Sequence, residues 1–161
     1  MRPPATGVPG IVLDTNAWLD LLVFEDPRIA AIRAALAEDR LVAFTDAGCR
    51  EEWRRVLDYP LLALGPPRQA SLMRAFDALA RPHQGDATGA IDASPLPRCR
   101  DPDDQKFLEL TRACGARWLV SRDKALLRLN RKTVRDHDFG VLVPEAWPPD
   151  EDASPAQSSK R

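Results

Sequence analysis

Asp14, Glu52, Asp104 and Asp123 are spaced so that folding could bring them to one place. Asp14 closes the apolar run Ile11–Asp14 (IVLD), and Asp123 follows a second apolar run that ends near Ser121. In REEWRRVL, Glu52 shares a helical stripe with Cys49, Trp53 and Val56, which turns it inward. Glu51 lines up instead with Arg54, Arg55 and Asp58 on the wet face. In DPDDQKFLELT, Asp104 precedes Phe107, Leu108 and Thr111 by three, four and seven, the first turn of a buried face. Asp101 is the expected N-cap of that helix, and Asp103 is less well aligned with the stripe. Carboxylates gathered at one rim repel, and a raised pKa or a cation relieves the repulsion. Hard ions such as Mg²⁺ and Mn²⁺ take oxygen ligands. The chemistry that needs such a set is phosphodiester hydrolysis, where the ion orients a water, lowers its pKa and stabilises charge on the phosphate.

Each of these residues also has an ordinary structural use. Asp14 could form a strand-end Asx turn, and Asp123 could cap a helix before Lys124. Charges at a helix N-terminus, such as Asp101, Asp103 and Asp104, are worth about 0.3–1 kcal/mol each. The combination argues for chemistry, because Glu52 lies on an apolar stripe where a charge is costly.

The elements that must position these residues alternate between strand and helix. Ile11–Asp14, Leu41–Phe44, Trp118–Val120 and Val141–Val143 read as short buried strands. Helices are expected from Asp26-Pro27, from Thr45 or Asp46 to about Leu57, over Arg68–Ala80, from Asp101-Pro102, and over Lys124–Leu129. Alternation of this kind implies a parallel sheet with helices on both faces. Ligands of such sheets bind beyond the carboxyl ends of the strands, where Asp14 and Asp123 fall. Prolines concentrate in the N-terminal lead, near residue 60, along a connection over 81–101, and at the end. Residues 1–10 are therefore read as a lead, 11–147 as one domain, and 148–161 as a disordered tail.

At 161 residues, the chain has the length of one ordinary domain. Its 44% hydrophobic and 29% charged residues are globular in balance. No apolar run reaches the roughly 20 residues of a membrane helix, and the start of the chain lacks the apolar core of a secretory signal. Cys49, Cys99 and Cys114 form no CxxC pair and read as small hydrophobes in a reducing, cytoplasmic setting. The net charge of −1 speaks against a protein that coats nucleic acid, which is usually clearly basic. That sum hides two opposed features: the acidic set, and seven basic residues against one acid from Arg117 to Arg135. Arg98 and Arg100 flank the Asp101–Asp104 motif, and such a basic run is able to track phosphates.

With these pieces in place, the sequence resembles a PIN domain, of the group described as VapC-like toxin components of bacterial toxin–antitoxin systems. The matching segments are IVLDTNAWLDLL at 11–22, EEWRRVL at 51–57, CRDPDDQKFLELT at 99–111 and WLVSRDKALL at 118–127. The resemblance implies a three-layer α/β/α fold around a mainly parallel sheet of four to five strands. It implies a Mg²⁺- or Mn²⁺-dependent endoribonuclease that leaves a 5′-phosphate and a 3′-hydroxyl. It also implies a homodimer and a cognate antitoxin encoded beside it. By position, Asp14, Glu52, Asp104 and Asp123 match the family's acidic residues, with Asp14, Asp104 and Asp123 holding one or two cations. Glu52 either completes the site or positions the attacking water. Asp101 joins the metal shell directly or through water, and Asn16 and Ser121 match positions that orient the acids by hydrogen bonds. Arg122 either reaches substrate phosphate or faces solvent, and Lys124 and Arg100 are further candidates for RNA contact.

Rival readings fare worse. A dehalogenase-type phosphatase wants a second Asp two residues after the first, and here that position is Asn16. A receiver domain wants an acidic pair before its acceptor, and only Asp14 precedes residue 20. The chain contains neither phosphate-binding glycine motif nor a GxSxG elbow. His83 and His137 fall in polar, turn-like segments, and DHD at 136–138 reads as a solvated turn. Trp18, Trp53 and Trp118 are expected in the core, whereas Trp147 among prolines suits an edge or partner contact. The remaining alternatives are a catalytically weak PIN-like module that binds RNA or protein, and a general RNA-processing nuclease.

Overall fold

Short apolar runs separated by Asp-capped helices produce a doubly wound sheet. The computed structural model describes residues 7–83 and 95–149. Much of the expected tail and the first six residues of the lead lie outside the described residues, as does most of the 81–101 connection. Among the described residues, five strands form one sheet: β1 Gly10–Leu13, β2 Val42–Thr45, β3 Ala80–Pro82, β4 Trp118–Val120 and β5 Gly140–Leu142. Every pairing is parallel, in the order β3-β2-β1-β4-β5. The expected three-layer α/β/α architecture is what forms. Strand order reverses between β1 and β4, which opens a crevice at their carboxyl ends.

The helices are α1 Thr15–Leu22, α2 Ala30–Ala37, α3 Ala47–Leu57, α4 Pro66–Leu79, α5 Gln105–Cys114, α6 Lys124–Leu127 and α7 Asn130–His137. Aspartates begin several of them. Asp14 accepts the Ala17 N–H at 2.8 Å, Asp46 the Cys49 N–H at 2.9 Å, and Asp123 the Leu126 N–H at 3.1 Å. Gly115, at φ 71°, ends α5 in the left-handed conformation that glycine adopts without strain.

Side chains alternate across β1. Ile11 and Leu13 face a core shared with Trp18 of α1, Ile32 of α2, Trp53 of α3, and Leu72 and Phe76 of α4. Val12 faces the other way, against Phe107 and Leu108 of α5, Leu126 of α6, and Phe139. Trp18 lies 4.4 Å from Phe76, and Phe76 5.5 Å from Trp53, centroid to centroid, so α1, α3 and α4 lock over one end of the sheet. Among the described residues, no helix is long and apolar enough to cross a membrane.

Four local expectations need correction. Helix α1 begins directly after Asp14, because the Asp caps a helix rather than a turn. A further strand, β3, begins at the last residue of the expected Arg68–Ala80 helix and runs into the expected connection; with three residues including Pro82, it carries almost no strand pattern. Asp136 and His137 complete α7, and Asp138 ends it at φ 64°, so DHD is a helix terminus rather than a free turn. Trp147 is no edge contact. The turn Pro144–Ala146 folds it inward to 7% exposure, edge-on to Trp118 at 5.7 Å.

Candidate functional site

The carboxyl ends of β1 and β4 are adjacent strand ends, and their next residues supply the deepest part of the site. Asp14 is only 4% exposed. Its Oδ1 accepts the Ala17 N–H at the start of α1, and its Oδ2 accepts the Ser121 hydroxyl at 2.6 Å. The Ser121 Oγ in turn accepts the Asp123 backbone N–H at 2.9 Å. Ser121 thus ties the end of β1 to the loop after β4 and fixes Asp14 relative to Asp123. Burial is the main reason that the Asp14 carboxyl titrates at about 7, against 3.8 ordinarily. The two hydrogen bonds oppose that rise, and the charges of Asp104 and Asp123 add to it.

Asp104 comes from the opposite layer. Asp101 caps a 3₁₀ turn over Pro102–Asp104 by accepting the Asp103 N–H at 3.0 Å, and Asp104 stands where that turn passes into α5. Among the described residues, nothing donates a hydrogen bond to the Asp104 carboxylate, although it is half-buried. It titrates at about 6, raised first by burial and then by Asp101, Asp123 and Glu52, with Lys106 acting in the other direction. One oxygen each from Asp104 and Asp123 and the Cys99 sulfur all lie within 4.8 Å of one another. The Cys99 thiol is buried, like those of Cys49 and Cys114.

Glu52 reaches the same region from α3, and the helical stripe correctly turns it inward while Glu51 pairs with Arg54 outside. Two residues that sequence reasoning passed over hold it. The Thr15 hydroxyl donates to Glu52 Oε2 at 2.6 Å, and the Lys106 ammonium forms an ion pair with Oε1. Lys106 also donates to the Asp103 carbonyl at 2.5 Å. Asn16 is exposed and makes no hydrogen bond to these acids among the described residues. Its neighbour Thr15, buried at the first turn of α1, is the residue that hydrogen-bonds one of the acids, Glu52.

The basic candidates separate. Arg100 and Lys124 are exposed. Arg122 is largely buried, donating to Asp20 at 3.1 Å and to Glu145 at 2.9 Å, which joins α1, the β4–α6 loop and the C-terminal turn. Arg128, Arg131, Lys132 and Arg135 lie exposed along α6–α7 beside β5. Replacing Arg122 with Ala is therefore expected to lower stability by about 1 kcal/mol while leaving RNA affinity within about twofold. Chemical denaturation and filter binding check this; a large loss of affinity at unchanged stability would make Arg122 a substrate contact.

Asp104 and Asp123 thus come together with Cys99, Asp14 lies near enough to feel the charges of both acids, and a model of the PIN domain matches residues 10–125. The chain belongs to the PIN domain family. PIN domains are generally metal-dependent nucleases. Among curated proteins, none matches the chain. The matched span runs from the first residue of β1 to the start of α6 and contains all four carboxylates. The donor set of this PIN domain fits a divalent cation: among the described residues, Asp104 has both oxygens uncommitted to hydrogen bonds, and Asp123 has one.

Proposed function

We propose that this PIN domain is an endoribonuclease dependent on Mg²⁺ or Mn²⁺, with Asp14, Asp104 and Asp123 holding the cation. The observation that carries this reading is the pairing of a buried, Ser121-bound Asp14 with an Asp104 to which nothing among the described residues donates a hydrogen bond. A carboxylate left so, beside like charges, is destabilising unless a cation completes it. When bound, the ion supplies charge neutralisation and lowers the pKa of a water. Ser121 fixes the Asp14 carboxylate; Asp101, whose charge helps to raise the Asp104 pKa, is assigned to the shell directly or through water. Glu52, steadied by Thr15 and Lys106, orients the attacking water. Attack on phosphorus expels the 3′-oxygen and leaves a 5′-phosphate and a 3′-hydroxyl. Exposed Arg100 and Lys124 meet the RNA backbone.

We assign residues 11–147 to the nuclease unit, since β5 and Trp147 pack on the same core as the matched span. The role proposed is that of a toxin in a cytoplasmic toxin–antitoxin pair, acting as a homodimer. Exposed Phe24, Tyr59 and Leu61 follow the C-terminal ends of α1 and α3 and offer apolar surface away from the carboxylates at the helix N-termini. The test is cleavage of defined RNAs with Mg²⁺ or Mn²⁺ by the wild type and by Asp104→Asn. Cleavage only by the wild type, with 5′-phosphate ends, is expected. Equal cleavage by both overturns the assignment, and carboxylate-dependent Mn²⁺ binding without any cleavage identifies a binding module. Growth arrest on expression, relieved by a protein encoded alongside, separates a toxin from a general RNA-processing enzyme.

A further inference from the structure

Three groups converge in the crevice, and one of them is sulfur. Cys99 lies on the segment that leads into the 3₁₀ turn of Asp101–Asp104, 7% exposed, with donor atoms of Asp104 and Asp123 within 4.8 Å. Its place relative to α5 is fixed. The Cys99 N–H donates to Gln105 Oε1 at 2.7 Å, and Gln105 Nε2 donates to the Pro97 carbonyl at 3.1 Å. The first side chain of α5 therefore clamps residues 97–99 against the helix that presents Asp104.

We propose that Cys99 is a metal ligand, so that with Asp104 and Asp123 it binds a thiophilic divalent cation such as Zn²⁺ or Cd²⁺ in place of the hard ion used for RNA cleavage. The proposal rests on the metal-site reading above and adds to it a sulfur donor and a second class of cation. Carboxylates alone suit Mg²⁺ and Mn²⁺, whereas a thiolate among them shifts preference toward zinc and cadmium. Bonds of about 2.3 Å to sulfur and about 2.0–2.2 Å to oxygen place tetrahedral donors roughly 3.5 Å apart. Closing from at most 4.8 Å needs a movement of no more than about an ångström, and among the described residues Asp104 breaks no hydrogen bond to make it. Ligation forms a sulfur–metal bond and releases the thiol proton to solvent, with no redox partner required. The thiophilic ion then occupies Asp104 and Asp123 and excludes the catalytic one, making zinc an inhibitor that a chelator reverses.

The test titrates the full chain with Cd²⁺ and, separately, with Mn²⁺, for the wild type, Cys99→Ser and Cys99→Ala. Cys49→Ala and Cys114→Ala serve as thiol controls. Wild type and both controls should show near-ultraviolet sulfur-to-cadmium absorption. The Cys99 variants should lose that absorption and at least about tenfold in Cd²⁺ affinity, while Mn²⁺ affinity changes by less than about threefold. Cadmium NMR of the wild-type complex reads the sulfur donor without any substitution, so a poorly folding variant does not block the test. Mn²⁺ binding accompanied by Cd²⁺ without a sulfur signature overturns the proposal and leaves the nuclease reading intact. If neither ion binds the wild type, the metal-site reading falls and this proposal with it.

Discussion

Asp14→Asn is expected to reduce RNA cleavage by about a hundredfold or more while making the metal-free protein more stable near pH 8. Both effects come from the same burial. The Asp14 carboxyl is 4% exposed and titrates at about 7, so above that pH the metal-free fold carries a desolvated charge. The amide keeps the shape and still accepts the Ala17 N–H through its oxygen. Its nitrogen can donate to Ser121 Oγ, which has a second lone pair beside the one taken by the Asp123 N–H. Removing the charge is worth on the order of 1–2 kcal/mol in chelator. The same change removes the most buried of the proposed anionic ligands. Urea denaturation with chelator near pH 8 and cleavage assays with Mn²⁺ measure the two halves. A variant that is less stable and still active would remove Asp14 from the site.

The second large effect is the dependence of stability on pH, and metal should reverse its sign. Asp14 and Asp104 titrate at about 7 and about 6 in the folded chain, against 3.8 ordinarily. Between those values, the native state binds more protons than the unfolded state. The derivative of unfolding free energy with pH, proportional to protons bound unfolded minus protons bound folded, is therefore negative. The contribution of these two groups is fully present below about pH 4 and is lost as pH rises through about 6 to 7, on the order of a few kcal/mol. Asp26, Glu51, Asp77 and Asp136 have carboxyls lowered by paired arginines and act oppositely at more acidic pH. With Mn²⁺ present, rising pH ionises the ligands and tightens binding, and an ion at a hundred times its Kd adds about 2.7 kcal/mol. Melting temperature from about pH 5 to about pH 8, in chelator and in Mn²⁺, should give curves of opposite slope. Parallel curves, or a chelator curve unchanged in the Asp14→Asn, Asp104→Asn double variant, would defeat this account.

Most of the acidic set is legible in the sequence because each member sits at a local landmark. Asp14 and Asp123 follow apolar strands, Asp104 follows a capped Pro turn, and Glu52 is placed by helical phase. Thr15 and Lys106 have no such landmark. Their purpose depends on Glu52 arriving from α3, 37 residues from Thr15, and no periodicity reports that meeting. Cys99 reads correctly as a buried small side chain, but the neighbours that give its sulfur a chemical setting come from a separate loop. Helix α7 escaped because NRKTVRDH has almost no apolar stripe; buried Thr133 and the bond from Val141 N–H to Asn130 Oδ1 hold it on β5 instead. Trp147 looked exposed because prolines surround it, and its burial depends on Trp118, far away in sequence.

The Ser121–Asp14 hydrogen bond spans 107 positions of chain. Synthesis runs from the N-terminus, so a nascent chain that has emerged only through α4 presents β1, β2 and Glu52 but lacks Asp104, Ser121 and Asp123. Asp14 then has neither its hydroxyl donor nor its fellow ligands. Closing so distant a contact is among the slower events available to a folding chain. On the proposed reading, the chain stays inert towards RNA on the ribosome until nearly all of its fold has been made.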